Sequence, residues 1–130
     1  MKYCMESLKN RIALKFKYSF QGFRLLINDP AVKIQLGFSG IAIILSFLFH
    51  FNGIEWCLVL FSCGFVIVCE MINTVIEKML DFIHPDYHEM VGKMKDMAAG
   101  FVLMSSICAL FIGCILFGGK LLWVLPLIFK

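Results

Sequence analysis

In the stretch VIVCEMINTVIEKMLDF, residues 66–82, polar side chains interrupt a run that is otherwise apolar. Glu70, Asn73 and Glu77 stand at i, i+3 and i+7. On an α-helix that spacing gathers them on one face, with the two carboxylates about 10 Å apart along the axis. Carboxylates so separated do not share one proton; they suit distinct tasks. Asp81 extends the stripe by a further turn. A second polar group follows in PDYHEMVGKMKDMAAG, where Asp86, Tyr87, His88, Glu89, Lys93, Lys95 and Asp96 crowd into a short segment. Lys95 beside Asp96, facing a helix of glutamates, could hold phosphate and the shell of a magnesium ion. Mg²⁺ prefers one or two carboxylates completed by phosphate oxygens. Phosphoryl transfer asks mainly for positioning, charge neutralisation and a base to orient the attacking hydroxyl.

Structural readings of the same residues stand beside this one. Lys95 and Asp96 could form a solvated helix cap, and the Glu70/Asn73/Glu77 face could serve only interhelical hydrogen bonds. His84 and His88 are four apart, but Pro85 between them predicts a turn rather than a helical metal site. The chain has neither a Gly-rich phosphate loop nor a catalytic-serine elbow. The six cysteines show no zinc-type spacing, and five of them lie in apolar segments, so unpaired structural thiols are expected.

The elements that must position this chemistry are membrane helices. The 130 residues are 61% hydrophobic and only 16% charged, with a mean hydropathy of +0.88. A soluble domain is about half apolar and about a quarter charged. One domain, residues 1–130, fits this length. Runs of about 20 apolar residues can span; they are expected over 34–54, 56–76 and 97–119. The tail LLWVLPLIFK is apolar but too short to span by itself. Residues 8–28 form a different element. Ile12, Phe16, Phe20, Phe23 and Ile27 recur on one helical face with Arg11, Lys15 and Arg24 elsewhere, the pattern of an amphipathic surface helix. Ser105, Ala109 and Gly113 make a small-residue stripe suited to close helix approach.

Charge sets the orientation. Seven of the twelve basic residues precede residue 34, and HFNGIE, between the first two spans, has no Lys or Arg. The N-terminus and the 77–96 segment are therefore expected in the cytoplasm and the C-terminus outside, with Trp56 and Trp123 in the outer aromatic belt. The polar, basic start carries no early apolar core, so no cleaved leader is expected. A net charge of +3 gives no reason to expect a nucleic-acid partner. From these residues alone, a non-enzymatic scaffold or cation-translocating oligomer fits as well as a kinase.

The stretch CEMINTVIEKMLDFIHPDYHEMVGKMKDMAAG resembles the signature of the small prokaryotic membrane diacylglycerol kinase and undecaprenol kinase family. The matching features are the E-x-x-N-[ST]-[AV]-[IL]-E pattern, the Tyr-His pair, and a Lys-Asp followed by small residues. YSFQGF and the order of spans extend the likeness to about residues 9–119. The resemblance implies an all-α homotrimer in the bacterial cytoplasmic (inner) membrane, each active site shared between neighbours. It implies ATP with Mg²⁺ from the cytoplasm and a lipid alcohol from the bilayer. Glu70 looks like the general base, Glu77 a metal ligand and Asn73 a polar partner at the lipid substrate. Arg11, Tyr18, Asp86, Tyr87, His88, Lys95 and Asp96 look like nucleotide-binding positions, Arg11 also touching substrate. Ala99 falls where the family lines the lipid pocket. Asp29 stands where the family has its second metal-binding glutamate, Lys33 where it often has Arg, and Gln35 where it often has Glu or His. KDMAAG is more like the undecaprenol-type members, while both lipids stay open as acceptors. Alkaline phosphatase fused after Lys130 is expected to be active, and fused within residues 84–88 to be inactive; the reverse pattern would invert the topology.

Overall fold

The computed structural model describes the backbone of residues 2–128 and the side chains of residues 11–121. It consists of four helices: α1 Lys2–Ile27, α2 Pro30–Leu48, α3 Gly53–Ile83 and α4 Glu89–Ile128. Three segments are long and apolar enough to cross a membrane: Pro30–Leu48, Gly53–Ile83 and Glu89–Leu121. This is the expected all-α membrane architecture. Helix α3 lies at the centre, packed most extensively on α4 and next on α2, while α1 touches α2 more lightly.

Helix limits follow from local chemistry that hydropathy does not weigh. Asp29 caps α2 by accepting from the Ala31 N–H at 3.1 Å, and Pro30 fills the first turn, where its missing donor costs nothing. Helix α2 therefore starts before Ile34. Its other end falls inside the run expected to span through residue 54. Phe51 N–H donates to Ser46 O at 3.2 Å and His50 N–H to Phe47 O at 3.1 Å, closing the C-terminus. His50 takes the left-handed conformation there, with φ 49°, a position glycine usually fills. Asn52 then opens α3: its side chain accepts from the Ile54 and Glu55 N–H groups, while Glu55 accepts from Asn52 N–H at 2.7 Å. That reciprocal box fixes the turn between the helices.

At roughly 1.5 Å per residue, the 31 residues of α3 and the 40 of α4 both exceed a hydrocarbon core of about 30 Å. The last turns of α3, which carry Glu77 to Ile83, can thus leave the hydrocarbon without breaking the helix. The tail from residue 120 continues α4 as helix through Ile128; the side chain of Trp123 lies outside the described residues.

The contacts between helices are small and few. Val59, Ser62, Val66, Glu70, Asn73 and Thr74 are buried on α3, Val32 and Ser46 on α2, Ala98 and Ser105 on α4. The three serines return their hydroxyls to their own helices, Ser46 to Ala42 O at 2.8 Å, Ser62 to Leu58 O at 2.8 Å and Ser105 to Val102 O at 2.9 Å. Internally satisfied hydroxyls let helices approach without an orphaned polar group. Of the small-residue stripe on α4, only Ser105 sits in a tight contact. A Cβ placed on Gly113 meets nothing within 4 Å; Gly113 and Ala109 line an open groove of about 720 Å³ between α2, α3 and α4. On the described part of α1, Ile12, Phe16, Phe20 and Phe23 are exposed.

At the end of the bundle opposite Glu77, Lys120 on α4 pairs with Glu55 at 3.1 Å and lies 5.6 Å from the centroid of the Phe51 ring. Phe51 packs on Phe117 at 4.8 Å. The α2–α3 turn is thereby tied to α4. Asn52→Ala is expected to remove the cap of α3 and cost about 1 kcal/mol. Reversible denaturation in mixed micelles would measure this, and an unchanged midpoint would show that the capping box contributes nothing.

Candidate active site

The polar stripe of α3 faces inward. Glu70 is 8% exposed and Asn73 7%. Asn73 Nδ2 donates to Glu77 Oε1 at 3.0 Å, one turn along the helix, which fixes the rotamers of both. Asn73 Oδ1 is buried with no hydrogen-bond partner. An acceptor left unpaired in a buried site costs about 1–3 kcal/mol, and here it lies beside a carboxylate. The oxygen set of Glu77 and Asn73 is hard, the kind that a small divalent cation prefers. Helix α2 adds Gln35, a polar neighbour of Glu70; Glu77 and Asp29 are the carboxylates within electrostatic reach of it.

Asp29 reaches this cluster from the start of α2, with both oxygens engaged. Oδ1 caps the helix and Oδ2 accepts from Lys78 Nζ at 2.7 Å. The Lys78 hydrogen bond, more than any other influence, holds the Asp29 carboxyl below the usual aspartate range. Asp29 thus lies near the cluster as a capping and ion-paired residue. Among the described residues, no three His, Cys, Asp or Glu side chains converge on one point. A cation held here would complete its shell with oxygens from water or a bound molecule. His84 and His88 have ring centroids 5.1 Å apart in an exposed loop, and His88 Nδ1 accepts from the Met90 N–H at 3.2 Å at the start of α4.

Lys95 is brought to the edge of the cluster. Its ammonium forms an ion pair with Asp81, one turn beyond Glu77. This contact joins α4 to α3 where both leave the apolar layer. Lys93 pairs instead with Glu89 at 2.6 Å along its own helix. The other expected residues are not gathered within one chain. Asp86, Tyr87 and His88 occupy the exposed segment between α3 and α4, Tyr87 at 94% exposure. Asp96 and Ala99 are exposed on α4, and Arg11 and Tyr18 on α1. Neither Arg11 nor Tyr18 hydrogen-bonds a described side chain. The single chain therefore gathers Glu70, Asn73 and Glu77 with Asp29 and Lys95 nearby, and leaves Arg11, Tyr18, Asp86, Tyr87 and Asp96 open on the surface.

Two contacts escaped the sequence reading. The Asp81–Lys95 pair joins residues 14 apart on two different helices. The Lys78–Asp29 pair bridges residues 49 apart, and nothing in local spacing announces it. The cysteines whose side chains are described, Cys57, Cys63, Cys69, Cys108 and Cys114, are all free thiols; Cys4 lies outside the described side chains.

A sequence profile of the family described as prokaryotic diacylglycerol kinase matches residues 17–117. A diacylglycerol kinase of Escherichia coli is 32% identical over 107 residues, 82% of this chain and 88% of that protein. A diacylglycerol kinase of Synechocystis sp. is 34% identical over 108 residues, 81% of this chain and 62% of the other. An undecaprenol kinase of Bacillus subtilis is 33% identical over 79 residues, 61% and 64% of the two chains. With its three membrane-crossing helices and its inward row of Glu70, Asn73 and Glu77, the chain belongs to the prokaryotic diacylglycerol kinase family.

Proposed function

We propose that this membrane protein phosphorylates a lipid alcohol, diacylglycerol or undecaprenol, with ATP at the cytoplasmic face of the bacterial inner membrane. The observation that supports this most directly is the placement of Glu70. It is buried on the inner face of α3, two turns from Glu77, where the helix passes from apolar to polar surroundings. The hydroxyl of a membrane lipid lies at that level. Glu70 accepts its proton, the freed oxygen attacks the γ-phosphorus, and the bond from that phosphorus to the bridging oxygen of ADP breaks. Asn73 holds Glu77 in place and offers a second oxygen. Glu77, Asn73 and, once released from Lys78, Asp29 would hold Mg²⁺. Bound there, Mg²⁺ neutralises charge on the phosphate oxygens. Lys95, Asp96, Asp86, Tyr87 and His88 on α4 and its preceding loop meet the nucleotide, and Ala99 borders the lipid. Arg11 and Tyr18 are carried on α1, which lies along the cytoplasmic surface with the N-terminus.

A cation pathway would need polar groups continuing across the bundle. The buried face beyond Glu70 consists instead of Val66, Ser62 and Val59, with the serine hydroxyl bound to its own helix. The exposed state of Arg11, Tyr18, Tyr87 and Ala99 in one chain favours a site completed by neighbouring copies, as a homotrimer.

Purified protein in lipid, given labelled ATP and either diacylglycerol or undecaprenol, tests the reading and selects the acceptor; labelling of neither lipid would sink it. In that assay Glu70→Gln is expected to lower kcat at least a hundredfold with nucleotide binding retained. Glu77→Gln is expected to raise the Mg·ATP requirement instead. Equal, modest effects of the two would mean that the stripe is structural. Mixed oligomers of Glu70→Gln and Lys95→Ala chains are expected to regain activity, and its absence in verified mixtures would confine each site to one chain.

A further inference from the structure

The two candidate metal-binding carboxylates are in different states. No donor among the described residues reaches Glu77 Oε2, and Asn73 Oδ1 beside it has no partner. That half is open. Asp29 is closed, one oxygen bound by the Ala31 N–H at 3.1 Å and the other by Lys78 Nζ at 2.7 Å. Lys78 follows Glu77 in sequence, so one turn of α3 carries both an acidic ligand candidate and the ammonium that holds its counterpart.

We propose that the Lys78 ammonium is a tethered competitor for the divalent cation at Asp29. An ammonium and a small divalent cation seek the same carboxylate lone pairs and repel one another. A cation at Asp29 Oδ2 meets the Lys78 ammonium there, and Oδ1 already accepts from the Ala31 N–H. Without a cation, Lys78 neutralises Asp29, which with Glu77 lies within electrostatic reach of Glu70. The latch is weak by construction. The Lys78 side chain is 63% exposed and swings into water freely, whereas Asp29 is 15% exposed and fixed by its cap. Lys78 thereby lowers cation affinity in the empty site while leaving the site accessible.

The inference rests on the lipid-kinase reading only for the expectation of a divalent cation, and it is read without turnover. Mn²⁺ binding to the full chain in micelles, followed by the free-ion EPR signal with neither nucleotide nor lipid substrate, compares wild type with variants. Lys78→Met is expected to tighten Mn²⁺ roughly two- to fivefold, the range of an exposed ion pair. Lys78→Gln should do the same and Lys78→Arg should not. Adding Asp29→Asn to Lys78→Met is expected to erase the gain. Unchanged or weakened binding in Lys78→Met, a gain that survives Asp29→Asn, or no detectable Mn²⁺ binding in any variant would overturn the proposal. The kinase reading would then still stand or fall on the lipid assay.

Discussion

Everything in this fold depends on keeping a row of acids on one face of a membrane helix. A charged group in hydrocarbon is tolerated only when it faces the bundle interior or water. Helix α3 meets that condition by register. Along one face it buries Val59, Ser62 and Val66, then Glu70 and Asn73, and finally Leu80. Helices α2 and α4 cover that face from either side, so the Glu70 carboxylate is shielded inside the bundle. The small contacts at Ser46, Ser62 and Ser105 bring the covering helices close enough to do so.

Charge balance explains the next layer. Asp29 starts α2 and accepts from Lys78 of α3 with the same carboxylate. The beginning of one helix is therefore coupled to the polar end of another. Lys95 and Asp81 make a comparable link between α4 and α3. Both links sit where exposure keeps individual ion pairs weak. The acidic end is thus held by weak, exposed contacts.

The helical class, the three crossings and the inward stripe were legible because hydropathy and the 3.6-residue period are strong, local signals. The helix limits were less so. Asn52 and Glu55 form a readable capping pair, as Asp29 and Pro30 form a readable start, yet a window averaged over about 20 residues blurs both. The engagement of Asp29 by Lys78 was hidden altogether, since it depends on how α2 and α3 pack. So was the openness around Gly113, because a small-residue spacing shows where helices are able to meet and not which ones do. The groups on α1 and in the 84–88 loop could be named from resemblance, but their dispersal in a single chain is a matter of tertiary geometry.

The Glu55–Lys120 pair has a mechanical consequence. It is more sheltered than the pairs at the acidic end, its two side chains being 19% and 27% exposed, and an aromatic group backs it. Rods pinned at one tip and loosely latched at the other behave like tweezers: small angular fluctuations at the pin become the largest displacements at the jaws. Here the jaws are the ends of α3 and α4 that carry Asp81 and Lys95, so the greatest angular freedom between the two helices falls where their ion pair is most exposed to water.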